Sequence, residues 1–192
     1  MPIEKGNILL SIARSTIASE LGSPVNAPDD APWLQEQGAA FVTLIQAGEL
    51  RGCIGTLEAH RPLHEDVKAN ALAAAFHDPR FPPLRRAELS DTRVEISLLS
   101  TREPIAFESE QHALAQLRPE IDGIIFEYGY YRSTFLPQVW EQLPDPETFM
   151  AHLKRKAGLA PDFWAAGVKL SRYTVTKWKE PASSQVERTR EQ

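Results

Sequence analysis

Proline placement constrains this chain more than any other single feature. A proline supplies no amide donor and restricts the residue before it, so it ends or forbids ordinary helix. Fifteen occur in 192 residues, and two groups of them cut the chain. Pro24, Pro28 and Pro32 hold a loop, and Asp78-Pro79-Arg80-Phe81-Pro82-Pro83 must leave whatever helix precedes it. Before the first cut, Leu9, Ile12, Ala13, Ile17 and Leu21 recur at helical spacing, so residues 4–21 are expected to be an amphipathic helix that Gly22 stops. Between the cuts, apolar runs at Ala39–Gln46 and Leu50–Leu57 flank Ala47-Gly48-Glu49, the pattern of a β-hairpin. Pro62 then opens a second helix running to about Phe76.

Beyond the second cut, Val94, Ile96 and Leu98 alternate with Glu95 and Ser97, which makes Arg93–Ser100 a strand. A short helix is expected over Glu108–Leu117, and a second hairpin, Gly123–Tyr128 with Tyr130–Leu136, turns near Gly129. Asp145 caps a helix that has Pro146 in its first turn and Gly158 at its end. A helical turn around Trp164 leads to one last strand, Val168–Lys179, and residues 181–192 form a flexible tail with few apolar residues. Strand pairs followed by helices, twice over, define an α+β protein: antiparallel hairpins packed by helices in two lobes of a single unit spanning 3–180.

Composition excludes several classes of function. A formal net charge of −5 argues against a general affinity for nucleic acid or an anionic membrane. No apolar run approaches a membrane span, and the N-terminus lacks the layout of a signal peptide, so a cytoplasmic setting is expected. Cys53 is the single cysteine, which rules out an intramolecular disulfide and a cysteine-rich zinc site. No phosphate loop, dinucleotide fingerprint, nucleophile elbow or zinc-binding His pair is present, and neither a cofactor nor a metal is called for. His60 and His64 stand four apart, but Pro62 lies between them, so they read as surface histidines.

The densest chemistry lies in Leu50-Arg51-Gly52-Cys53-Ile54-Gly55. Strand alternation puts Arg51, Cys53 and Gly55 on one face, with Arg51 about 6–7 Å along the strand from Cys53. A guanidinium at that range favours a thiolate and also holds carboxylates or phosphates. Glycine weakens a strand interior unless a bulge or a close approach needs it, so Gly52 and Gly55 mark this strand as special. Asp78 can accept backbone donors in its turn, Arg80 can reach into a cleft, and Glu95 sits on the polar face of its strand. The plain alternative is a packed thiol, a structural ion pair at Arg51, and solvated charges elsewhere.

That hexapeptide resembles the hallmark of the AMMECR domain family, also called AmmeMemoRadiSam system protein A in bacteria and archaea. Asp78-Pro79-Arg80-Phe81, the Glu95-containing strand, Phe135-Leu136-Pro137-Gln138-Val139-Trp140 and Lys156-Ala157-Gly158-Leu159 resemble further family motifs in the same order. The resemblance covers about 3–180. It implies a two-lobed α+β fold with the hexapeptide facing a cleft between the lobes. It also implies association with a Memo-like protein and a radical S-adenosylmethionine protein, and it carries no established reaction.

Two functional readings stand. In one, the hexapeptide forms a small-molecule or anion site, with Cys53 as nucleophile or ligand and with Arg51, Gly52, Gly55, Asp78, Arg80 and Glu95 shaping or binding. In the other, the chain is a non-catalytic module that recognises a partner protein or peptide, and the hexapeptide is architectural. An accessible Cys53 with charged groups converging on it separates the first from the second.

Overall fold

The computed structural model describes residues 2–28 and 30–181. The tail read from the sequence, apart from Pro181, lies outside the described residues. Two compact units partition the chain: one runs to Leu98 and resumes at Lys177, and the other is Leu99–Thr176.

In the first unit, α1 (Pro2–Glu20) buries Leu9, Ile12, Ala13 and Ile17 completely. Its end is closed twice, with Gly22 at φ +78° donating to the Ser19 carbonyl at 3.0 Å and Ser23 donating to Ala18 at 2.8 Å. A glycine is needed there because the left-handed conformation crowds any Cβ. Strands β1 (Ala40–Gln46) and β2 (Glu49–Gly55) follow, joined by a two-residue turn with Ala47 and Gly48 both at positive φ. That turn matches the twist of the strands it joins. With β3 (Thr92–Leu99) and β8 (Val175–Lys179) they form a four-stranded sheet in the order β2-β1-β3-β8. Ala40, Val42, Leu44, Val94 and Ile96 point from this sheet into a core shared with α1 and α2 (Leu63–Leu72).

Helix α2 is fastened to the hairpin by a buried carboxylate. Asp66 accepts from the Ala40 amide at 3.0 Å, the Thr56 hydroxyl at 2.6 Å and Arg61 Nε at 2.8 Å. Asn70 donates to the Ala40 carbonyl at 3.0 Å. The helix then widens into a five-residue π turn, Ala73–His77, and Asp78 leaves it in an extended conformation. π turns occur often at functional sites, because the extra residue re-aims the chain beyond it.

The return of the chain to this unit is held by Glu180. Its amide donates to the Val94 carbonyl at 3.0 Å, and its carboxylate accepts from the Val94 amide at 2.8 Å and from Arg14. Arg14 also donates to the Leu89 and Thr92 carbonyls. Glu180→Ala removes the acceptor of a half-buried guanidinium and of one strand amide, and is expected to cost about 2–3 kcal/mol. That corresponds to a melting temperature roughly 4–10 °C lower by circular dichroism. A midpoint within a degree of the wild type would show that this clasp contributes nothing.

The second unit contains β4 (Glu103–Ile105), α3 (Glu110–Ala115), β5 (Gly123–Tyr128), β6 (Tyr131–Phe135), α4 (Pro146–Lys156) and β7 (Lys169–Tyr173). Its sheet order is β4-β7-β5-β6, with antiparallel pairing. Trp140 stacks on Phe149 at 3.7 Å within its core. Asp145 caps α4 by accepting from the Thr148 amide at 2.8 Å, and Gly158 ends it at φ +92°. The architecture is therefore α+β, with two antiparallel sheets and helices.

Two local expectations are corrected. The last strand is two strands in different sheets, β7 and β8, because Thr174 turns out of the ladder to exchange hydrogen bonds with Ser100. Trp164 lies in no helical turn; its ring packs against Phe107 at 5.4 Å and under the Lys154 ammonium at 5.4 Å, so side-chain contacts hold it in place of local hydrogen bonds.

Candidate functional site around Cys53

Strand β2 carries a bulge, and the site depends on it. Outward from the turn, Gln46 pairs with Glu49 and Ile45 with Leu50, but Leu44 faces Gly52, leaving Arg51 as an extra residue. Had the turn's register continued, Cys53 would face Val42, on the helix-packed side. The shift places it opposite Thr43 instead, on the far face of the sheet. Gly52 then lies under the π turn, where an added Cβ would stand 2.2 Å from the Ala74 carbonyl oxygen. At Gly55 an added Cβ would stand 2.2 Å from the Phe41 ring. Close packing therefore accounts for both glycines, and their presence by itself does not argue for a ligand.

Cys53 is fixed on three sides. Its thiol lies 3.1 Å from the Thr43 hydroxyl, as suits an antiparallel pair that exchanges no backbone hydrogen bonds and so brings its side chains close. Its amide, on the outer edge of β2, donates to Asp78 Oδ2 at 2.9 Å. Its carbonyl accepts from Arg80 Nη2 at 3.2 Å. Arg80 also grips Asp78 with a two-pronged fork, Nε to Oδ1 at 3.0 Å and Nη2 to Oδ2 at 2.7 Å. The pair thus supplies what a neighbouring strand would have offered at this edge position. The thiol residue itself is half-buried.

The buried Asp78 carboxyl is held far below the usual carboxylate range, first by the Arg80 side chain and then, against the upward pull of burial, by the amides of Cys53 and Arg80. Arg80 is shifted upward, chiefly by its bond to Asp78, with the charges of Asp78 and Cys53 adding. The guanidinium that touches Cys53 is that of Arg80, through the Cys53 carbonyl.

Arg51 is committed elsewhere. The bulge breaks the alternation that aligned it with Cys53, and its guanidinium lies 3.3 Å from Glu88. Glu88 also takes Arg85 and is lowered to about 2, first by the Arg85 amide, with the Arg85 and Arg51 side chains assisting against burial. Glu95 pairs across β1 with Thr43, so Cys53, Thr43 and Glu95 form one row on the far face. It is buried, with Arg93 Nη2 at 3.3 Å and Lys179 Nζ at 3.4 Å from Oε1.

The structure thus gathers Cys53, Asp78 and Arg80 into one cluster and sets Glu95 two strands away in the same row. Arg51 joins a separate ion pair. His60 and His64 turn to different carbonyls, those of Glu58 and Leu34. Thr43, Glu88 and Lys179 were not singled out from the sequence. Thr43 becomes visible there only once the bulge is known.

No described helix is long and apolar enough to cross a membrane. The AMMECR1 family model matches residues 10–178. A protein of Methanothermobacter thermautotrophicus is 40% identical over 163 residues, covering 83% of this chain and 85% of its own. Protein MJ0810 of Methanocaldococcus jannaschii is 37% identical over 185 residues, with 94% and 92% covered. The crystal structure of an uncharacterized protein, PH0010 from Pyrococcus horikoshii, matches with a TM-score of 0.76 at 35% identity, covering 93% of each chain. An α+β chain of two antiparallel sheets, with its single thiol clipped at the edge of one of them, this protein belongs to the AMMECR1 family.

Proposed function

We propose that this AMMECR1-family protein binds a small molecule at Cys53, on the far face of the first sheet, and presents the thiol to it as nucleophile or ligand. One observation carries the reading. The amide, the carbonyl and the thiol of the same half-buried residue are each held by a different polar group. Packing alone needs a small side chain there, not three polar restraints. A thiol whose backbone cannot shift is preorganised for an incoming group, and orientation of this kind contributes to reactivity. The setting we propose is a cytoplasmic AmmeMemoRadiSam system with a Memo-like protein and a radical S-adenosylmethionine protein; its support is the hexapeptide together with the later motifs in their order.

The test is alkylation of the folded chain by iodoacetamide, read by intact-mass spectrometry, with Cys53→Ser as the blank. The thiolate sulfur displaces iodide, forming one carbon–sulfur bond, and the thiol proton passes to solvent. A single adduct forming without denaturant is expected. Reaction only after unfolding would discard the small-molecule reading in favour of a partner-binding module.

A further inference from the structure

Resting on that reading of the Cys53 face, we infer that its ligand is an oxyanion, a carboxylate or phosphate, and that Arg93, Lys177 and Lys179 recognise it, rather than the arginines nearest the thiol.

The first argument is charge. Trp178 of β8 packs towards α1, where its ring covers Gly6, so alternation turns Lys177 and Lys179 to the far face. The 3.4 Å approach of Lys179 to Glu95 agrees with this. Arg93 shares that face, since it pairs with Ile45 and reaches Glu95. Among the described residues of these strands, the far side therefore carries three cations, Arg93, Lys177 and Lys179, against the carboxylate of Glu95, on a chain whose formal net charge is −5. Arg80 is neutralised by Asp78 and Arg51 by Glu88, so neither adds to this excess. Lys177 and Lys179 are exposed.

The second argument is independent, and concerns acceptors. Among the described residues, two buried side-chain polar atoms have no hydrogen-bond partner, Arg51 Nη1 and Arg93 Nε. Both are guanidinium donors, and Arg51 is only 8% exposed. Only Arg93 Nε lies on the far face, beside Glu95; the Arg51 guanidinium turns to Glu88, which also takes Gln46 on the opposite, helix-packed face. A buried donor left without an acceptor is costly, and such groups are rare in native proteins. The far face is short of an acceptor at Arg93, and an oxyanion supplies one together with the opposite charge.

The test compares iodoacetate with iodoacetamide, two reagents of nearly equal size that differ in charge, on the folded full-length chain at low ionic strength. β8 lies three strand spacings from β2, about 14 Å, which is within the screening length only in dilute salt. Two lysines at that range are worth about threefold in the local concentration of a monoanion. The iodoacetate-to-iodoacetamide rate ratio at Cys53 is therefore expected to exceed that of the denatured chain. It should fall about threefold in the double variant Lys177→Gln/Lys179→Gln. Protection against iodoacetamide by inorganic phosphate, or by acetate, beyond that given by chloride at equal ionic strength would assign the oxyanion class. A ratio that the double variant leaves unchanged, with no protection by either anion, would overturn the inference. Failure of iodoacetamide to react at all would instead remove the reading beneath it.

Discussion

Gly52→Ala is expected to destabilise the first unit by about 3 kcal/mol or more, lowering its melting temperature by roughly 6–12 °C. The added Cβ would stand 2.2 Å from the Ala74 carbonyl oxygen, which is backbone. Neither side can yield cheaply. Ala74 sits in the π turn at the end of a helix that Asp66 and Asn70 anchor to β1, and β2 is clipped at the next residue by Asp78 and Arg80. Gly55→Ala is the control, because the same close distance is there to the ring of Phe41, a side chain able to rotate away. Its effect should be about 1–2 kcal/mol, and should vanish in a Phe41→Ala background, which removes the Cγ and Cδ atoms in contact. Equal losses for the two glycines would mean that the contact beneath the π turn is not what limits Gly52. The readouts are thermal and urea unfolding monitored by circular dichroism.

Asp78→Ala is expected to cost about 2–4 kcal/mol. The change strips the acceptor from two amides, those of Cys53 and Arg80, and from the Arg80 fork, while the released guanidinium is exposed enough to be hydrated. Asp78→Asn keeps an oxygen for the Cys53 amide and should lose about half as much. The pH dependence has a definite sign. Because the folded carboxyl titrates below its ordinary 3.8, its stabilisation is fully present above that value and is lost as pH falls through the lower folded value. Glu88 behaves alike, with its share lost between the ordinary 4.5 and about 2. Stability should thus be insensitive to these two groups above about pH 5 and fall below about pH 4. The fall should be shallower in Asp78→Asn, which lacks one of the titrations. An identical acid limb in wild type and variant would show that Asp78 is not charged in the fold as described.

Much of the local structure was legible in the chain. The α1 pattern of Leu9, Ile12 and Ile17 buried one helix face, and Gly22 ended it. The short turn at Ala47-Gly48, the Asp145 cap and the Gly158 stop all act within a few residues, so composition specifies them. The alternation in Arg93–Ser100 likewise marked Val94 and Ile96 as core residues of β3, with Leu98 half-buried against them, but not the burial of Glu95. The route of the last segment was not legible, because β7 and β8 have similar sequence character and differ only in which distant strand they join.

The site divides in the same way. Local pattern was enough to make Leu50–Gly55 a strand, to flank its one thiol with glycines, and to take Asp78 and Arg80 out of a helix at a proline. Which face the thiol occupies was decided by tertiary structure. One extra residue, Arg51, shifts the register so that Cys53 meets Thr43 and not Val42. A strand has a side-chain period of two, so a one-residue shift reverses every face beyond it. The bulge coincides with the packing of the π turn on Gly52 and the capture of Arg51 by Glu88, 37 residues away along the chain. Local propensity cannot register partners at that distance, because they come together only when the core closes.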